Sequence, residues 1–232
     1  MTCGAFEAAV ASDAEYVELD IRRTGDGELV VHHGARIGRW GPPLSELSYG
    51  RLCELAGHPV PRAREVLALI AGRAVGHVDL KETGYEDEVV TTALEILGPG
   101  GFVVTTVEAS SIACIRRRFP GVVTALSLGH AADQVRRMAR LSSCGRDAIR
   151  RIRASGAHWL AVNYRLTGTD MLAACAAHGI PCMVWTVNAD AMMTRFLADP
   201  RVAVLVTDHP LRALRLRAGL RPVSGPRAPS VI

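Results

Sequence analysis

Short runs of apolar and β-branched residues alternate along this chain with stretches of helical periodicity. Seven such runs begin near residues 16, 74, 101, 122, 159, 181 and 202, and helical patterns separate them. This rhythm is typical of βα units, which lay parallel strands side by side in one sheet. The pattern therefore predicts an α/β fold of the TIM-type (β/α)8 barrel class.

The number of predicted barrel strands is one short of the eight that a closed barrel of this type needs. The chain opens on a predicted helix at about residues 2–12, with no strand ahead of it. Either a strand precedes Met1 in the full protein or the barrel is open. Because an open barrel exposes unpaired backbone groups at its edge, we expect that the first barrel strand is missing from this sequence.

An extra strand is predicted at residues 28–33, directly after the first barrel strand. The residues between the two runs include Asp26 and Gly27, and Asp-Gly between β-rich runs is a strong hairpin signal. The segment should fold back antiparallel on the strand at residues 16–21. It is therefore expected to stand outside the barrel ring.

Composition sets limits on domain organisation, location and partners. The 232 residues suffice for one large domain, which we predict at residues 1–218, with a disordered Pro-, Ser- and Gly-containing tail at 219–232. The sequence has no apolar run long enough to span a membrane and no N-terminal targeting signal. As it stands it predicts a cytoplasmic protein, which a missing upstream segment would change. The arginines between residues 136 and 153 lack interleaved aromatics, so a solvated helix face is favoured over a nucleic-acid surface.

Two of the predicted strands carry ionisable side chains on one face. Glu18 and Asp20 lie two residues apart, as do His77, Asp79 and Lys81, and alternate residues of a strand point the same way. Charges inside a barrel need partners or a metal, and active sites of TIM barrels form at the carboxyl ends of the strands. Carboxylates that converge there suit a hard divalent cation such as Mg²⁺ or Ca²⁺. A salt bridge to an arginine is the alternative.

Lys81 is the single lysine among the 27 lysines and arginines. A compact ammonium beside a metal site would bind an anionic group; the alternative is that it only balances the charge of the carboxylates. His77 either supports the site or acts directly. His32 and His33 point to opposite sides of their strand, so one of them is expected to face the site as a general acid or base, unless both lie on the surface.

The order of these motifs resembles that of the glycerophosphodiester phosphodiesterase family. The segments that carry the resemblance are AFEAAVASDAEYVELDIRRTGDGELVVHHGARI, HVDLKE, VVTTVEAS, TALSLG, WLAVNY, GIPCMVWTVN and VLVTDHP. They follow one another over nearly the whole chain. The resemblance implies metal-dependent hydrolysis of small-molecule glycerophosphodiesters to glycerol 3-phosphate and an alcohol.

The resemblance also implies roles for single residues. Glu18, Asp20 and Asp79 would bind one divalent metal, Mg or Ca, with Asp79 standing where the family usually has glutamate. Lys81 would contact the substrate phosphate. His33, rather than its neighbour, would be the second acid–base histidine.

Trp185 would line the pocket near the glycerol moiety. The chain departs from the family pattern at Gly34, where an aspartate is frequent, and at Thr106-Val107, which stand for Ser-Phe. It also lacks the family's first strand, whose His-Arg-Gly motif supplies the other acid–base histidine. Two alternatives therefore stay open: a catalytically impaired protein that binds metal or phosphate without turnover, and a phosphodiesterase of the lysophospholipase D type.

Overall fold

The computed structural model describes residues 3–129, 144–220 and 229–232. The helices are α1 Cys3–Val10, α2 Tyr49–Ala56, α3 Ala63–Ile70, α4 Glu86–Leu97, α5 Ala109–Arg118, α6 Cys144–Ser155, α7 Met171–Ala177, α8 Asp190–Leu197 and α9 Pro210–Gly219. The strands are β1 Tyr16–Arg23, β2 Leu29–Val31, β3 Val75–Leu80, β4 Phe102–Thr106, β5 Val123–Leu128, β6 Trp159–Asn163, β7 Cys182–Trp185, β8 Val202–Leu205 and β9 Ser230–Val231. The order is that of βα units, as predicted.

The strands form one curled sheet in the order β2-β1-β3-β4-β5-β6-β7-β8-β9. All seven predicted barrel strands are present, and neighbouring members of that series pair in parallel. Most of their residues are apolar and buried, as expected for parallel strands covered by helices; β1 and β3 also carry ionisable side chains. The α/β prediction is confirmed.

The predicted hairpin is also present. β2 pairs antiparallel with the carboxyl end of β1, with Ile21 opposite Val31 and Arg23 opposite Leu29. The turn between them uses Gly27 at a φ of 92°, a left-handed conformation that glycine adopts without steric cost. The hairpin places the residues after β2 beside the end of β1.

The last residues of the chain differ from the predicted disorder. Ser230 and Val231 form β9, which pairs in parallel with β8, while Val231 and Ile232 are buried. Within the predicted tail, residues 221–228 lie outside the described residues. The prediction of disorder rested on the Pro, Ser and Gly content of the tail. The two apolar residues at its end are buried instead, because the edge of β8 supplies backbone hydrogen-bond partners for this segment.

Side chains fix the outer edge of β9. The Val231 N–H donates to Glu15 Oε2 at 2.9 Å. Arg217 donates both to Glu15 Oε1 at 2.6 Å and to the Pro229 carbonyl at 3.1 Å. β9 is thus the eighth parallel strand among the described residues. Its outward-facing Val231 N–H is hydrogen-bonded to a carboxylate rather than to the backbone of a neighbouring strand.

Apolar side chains pack on both sides of the curled sheet. Two large clusters lie between the sheet and the surrounding helices. A smaller cluster takes one residue from each of the strands β4 to β8, together with the last residue of the chain: Val103, Ala125, Ala161, Met183, Val204 and Ile232. This arrangement leaves the carboxyl ends of β1 and β3 to polar side chains. None of the described helices is long and apolar enough to cross a membrane.

Candidate active site

The five ionisable residues predicted on the two polar strands lie next to one another. β1 and β3 pair in parallel with Glu18 opposite His77 and Asp20 opposite Asp79. Each of the three carboxylates offers an oxygen atom, and these atoms all lie within 4.8 Å of one another. Adjacent parallel strands without stagger therefore bring together side chains that are about 60 residues apart in the sequence.

Lys81 lies among these carboxylates. Its Nζ is 2.6 Å from Asp20 Oδ1, and it donates a hydrogen bond to Asp79. Burial alone would lower the pKa of Lys81, but Asp79 and Asp20 raise it above its usual value. The group therefore holds a stable ammonium, which compensates only part of the charge of three carboxylates.

The uncompensated negative charge of the cluster changes the pKa of Glu18. Burial, followed by repulsion from Asp20 and Asp79, raises the pKa of Glu18 well above its usual range, although Lys81 opposes the shift. A carboxyl group in this position is stabilised either by a proton or by an added cation. The cluster is therefore an electrostatic site for positive charge.

A divalent cation fits these residues. Mg²⁺ and Ca²⁺ bind carboxylate oxygens at roughly 2.0–2.6 Å, so oxygens within 4.8 Å of one another are close enough to share one ion. Asp79, one methylene shorter than glutamate, still reaches the cluster. The charge excess, the oxygen donors and their spacing are all those of a hard-cation site.

His77 is buried below this cluster. Its Nε2 lies 2.5 Å from Thr105 Oγ1, and burial lowers the pKa of His77 to about 4. Its Nδ1 has no hydrogen-bond partner among the described residues. The imidazole is therefore neutral at physiological pH and is held by β4, which favours support of the site over direct proton transfer. Thr105 was not singled out from the sequence, although a polar residue within the apolar run of β4 marks it.

The two adjacent histidines have different surroundings. His33 is exposed and lines the same cavity as the carboxylates. His32 turns back on its own loop, with Nδ1 2.7 Å from the Gly34 carbonyl, while its N–H donates to the Asp20 carbonyl at 2.9 Å. Of the two, His33 has its imidazole available to a ligand.

A cavity of about 1120 Å³ opens over the cluster. Trp185, at the carboxyl end of β7, lines it together with Lys81 and His33. Further lining residues, which were not expected from the sequence, come from α1, from the segment between β8 and α9 and from the end of the chain: Phe6, Ala9, Thr207, Asp208, His209 and Ile232. This volume suits a small molecule.

Comparison with known proteins gives the family. Residues 1–212 match the Glycerophosphoryl diester phosphodiesterase family. The chain belongs to this family. The resemblance noted in the sequence is thereby confirmed, and so is the predicted enzyme class, a phosphoric diester hydrolase that acts on glycerophosphodiesters.

Individual relatives are distant in sequence. A glycerophosphodiester phosphodiesterase of Bacillus subtilis is 22% identical over 236 residues, which cover 88% of this chain and 77% of the relative. A second protein of that species, YhdW, is 25% identical, with 90% of this chain and 88% of the relative covered.

Solved structures agree in fold. A glycerophosphodiester phosphodiesterase from Parabacteroides distasonis has a TM-score of 0.73 at 17% identity, covering 94% of this chain and 89% of its own. A phosphodiesterase from Oleispira antarctica, solved in complex with its product sn-glycerol-3-phosphate, has a TM-score of 0.73 at 14% identity, with coverage of 92% and 89%. At these identities the likeness concerns the TIM-like barrel fold.

Proposed function

We propose that this chain hydrolyses glycerophosphodiesters to glycerol 3-phosphate and an alcohol with the help of one divalent metal ion. The observation that carries the proposal is the convergence of three carboxylates and one ammonium beneath a cavity of small-molecule size. The product in the Oleispira antarctica phosphodiesterase and the name of the Bacillus subtilis relative support the choice of substrate.

Glu18, Asp20 and Asp79 would hold the ion, which we take to be Mg²⁺ or Ca²⁺. When bound, a divalent ion supplies a Lewis acid that draws charge from phosphoryl oxygens. The raised pKa of Glu18 supports this role, because the carboxyl group gains most from a cation that replaces its proton.

Lys81 would bind a phosphate oxygen beside the ion. An ammonium has three N–H donors, and contacts with Asp20 and Asp79 use two of them. The third is left for the substrate. Its ion pairs fix the ammonium in place, so a phosphate meets a charge that is already oriented.

His33 would carry out one of the two proton transfers of the reaction. Water attacks phosphorus and loses a proton, the P–O bond to the alcohol breaks, and the leaving oxygen takes up a proton. An exposed histidine on the cavity wall suits either step, because an imidazole can accept or donate a proton. Trp185 would contact the glycerol moiety through its apolar ring face.

We further propose that a strand precedes residue 1. On the edge of β1 that faces away from β3, residues 16–19 pair with no strand of the described part of the chain, and β9 contributes only two residues on the other side of this gap. An upstream strand with His-Arg-Gly would pair there and supply the second histidine. Codons for such a strand just upstream, in frame, would support the proposal, and an in-frame stop codon immediately before the first codon would contradict it. The cytoplasmic location likewise stays a prediction.

A turnover assay tests the proposed function. Release of sn-glycerol 3-phosphate from glycerophosphocholine should require Mg²⁺ or Ca²⁺, stop on chelation, and be abolished in Asp79→Ala. The exposed Glu95, which pairs with Arg64 on the helices, gives the matched control Glu95→Ala, which should retain activity. Metal binding without turnover would instead favour the impaired alternative, and turnover that survives Asp79→Ala would refute the site.

A further inference from the structure

Arg22 occupies an unusual place for an arginine. It is the next residue after Glu18 and Asp20 on the same face of β1, and it is buried, with its side chain 11% exposed. Its Nε and Nη2 both donate to the His33 carbonyl, at 3.1 and 3.0 Å. Its Nη1 donates to Glu82. All three guanidinium nitrogens therefore contact the protein itself.

The contacts of Arg22 join the ends of three strands. β2 ends at Val31, and the last backbone bond of this hairpin runs from the His32 N–H to the Asp20 carbonyl. The main chain at His33 lies just past that bond, and two N–H groups of the planar Arg22 guanidinium converge on its single carbonyl oxygen. Glu82, which follows Lys81 after β3, compensates the buried charge.

A different role for Arg22 would be to bind the substrate phosphate. The geometry argues against it, because the planar fork that would meet two phosphate oxygens is already turned to the His33 carbonyl. Arg22 is also absent from the residues that line the cavity, whereas His33 and Lys81 both line it. The arginine therefore acts on the chain rather than on the ligand.

We propose that Arg22, with Glu82 as its counter-ion, is a positioning residue that holds the backbone of His33 so that its imidazole enters the cavity at a fixed angle. The inference rests on the proposed function of His33. Misplacement of a catalytic group by about 1 Å costs on the order of 100-fold in rate. Loss of the two hydrogen bonds from Arg22 to the His33 carbonyl should therefore lower kcat, while the contacts with the substrate stay intact.

Kinetics of matched variants test the proposal. Arg22→Gln should lower kcat by roughly 10- to 100-fold while KM changes by less than about threefold, and Arg22→Lys, which keeps the charge but not the fork, should fall between. The neighbouring Arg23→Gln is the control, because Arg23 makes a longer, exposed contact of 3.6 Å with Glu88; it should behave as the parent chain does. A rise in KM at unchanged kcat for Arg22→Gln would overturn the inference.

A double-mutant cycle separates action through His33 from a general effect. If Arg22 acts through His33, adding Arg22→Gln to His33→Ala should change kcat by less than about threefold. Multiplicative losses would mean that Arg22 works independently. If His33→Ala retains full activity, the proposed role of His33 fails, and the inference falls with it.

A measurement that needs no activity covers the case in which the chain does not hydrolyse the substrate. Amide hydrogen exchange at residues 32–34 should be about tenfold faster in Arg22→Gln than in Arg23→Gln. Without the two hydrogen bonds to the His33 carbonyl, this segment opens more often. Equal exchange in both variants would overturn the inference, whatever the activity. Should Arg22→Gln fail to fold, Glu82→Gln replaces it, with the same pattern expected at smaller amplitude.

Discussion

Glu18→Gln should make the metal-free protein more stable and the metal-loaded protein less so. The oxygens of Glu18, Asp20 and Asp79 lie within 4.8 Å of one another. Two like charges at that distance repel by roughly 3 kcal/mol at an effective dielectric constant of about 20. Lys81 and protonation of Glu18 offset part of this repulsion, so we expect the substitution to stabilise the metal-free protein by about 1–3 kcal/mol.

The same substitution should remove most of the stabilisation by metal. A ligand at about 100 times its Kd adds about 2.7 kcal/mol to the free energy of unfolding. In a chain of this size each kcal/mol moves Tm by roughly 2–4 °C, so the parent chain should gain roughly 5–10 °C. An affinity about 100-fold weaker leaves the variant a gain of roughly 0.4 kcal/mol at the same metal concentration.

Thermal unfolding by circular dichroism, with chelator and with Mg²⁺ or Ca²⁺, measures both effects in one experiment. Glu95→Gln removes an exposed carboxylate that pairs with Arg64, and it should follow the parent chain under both conditions. A lower Tm of Glu18→Gln in chelator would refute the charge repulsion at Glu18, and a full metal-dependent gain in the variant would refute its role as a metal ligand.

Three further predictions follow from the site and the fold. Lys81→Met should raise KM for glycerophosphocholine at least tenfold in steady-state assays, because a charge-assisted contact worth about 1.5–3 kcal/mol is lost; an unchanged KM would contradict phosphate binding. Removal of residues 229–232 should lower the free energy of unfolding in urea by about 3–6 kcal/mol, since Val231 and Ile232 are buried and each such side chain contributes about 1.5–3 kcal/mol; an unchanged midpoint would mean that β9 does not stabilise the sheet. Burial lowers the pKa of His77 in the folded protein to about 4, whereas the pKa is about 6.5 in the unfolded chain. The contribution of the neutral imidazole to the free energy of unfolding is therefore complete above pH 6.5, and about 3 kcal/mol of it is lost as the pH falls from 6.5 to 4. In urea unfolding, the free energy of unfolding of His77→Gln should decrease less over that range than that of the parent chain, and equal decreases would refute the assignment.

The sequence predicted the elements that depend on local pattern. The seven barrel strands follow from apolar runs of strand length, and the hairpin follows from Asp26-Gly27, whose turn chemistry is specified by the residues themselves. The shared face of Glu18 and Asp20 follows from the two-residue period of a strand. That β1 and β3 would bring Glu18 and Asp20 close to Asp79 was implied by the barrel class, since consecutive barrel strands are neighbours.

Features that depend on long-range contacts could not be predicted. β9 consists of two residues and is too short for a periodic pattern. It is stabilised by hydrogen bonds to Glu15 and Arg217, which are some 200 residues apart in the sequence. The buried contacts of Arg22 could not be predicted from the sequence either, because an arginine at the end of a strand is most often exposed. Its contacts with His33 and Glu82 arise only when three strand ends meet.

The proposed metal site, in which Glu18, Asp20 and Asp79 bind one divalent ion beside Lys81, can be observed crystallographically. Crystals grown with Mn²⁺, an ion of similar oxygen preference with a strong anomalous signal, measure this directly. We expect a single anomalous peak about 2.0–2.5 Å from one oxygen of each carboxylate. A peak elsewhere, or none at these side chains in crystals that contain the ion, would contradict it.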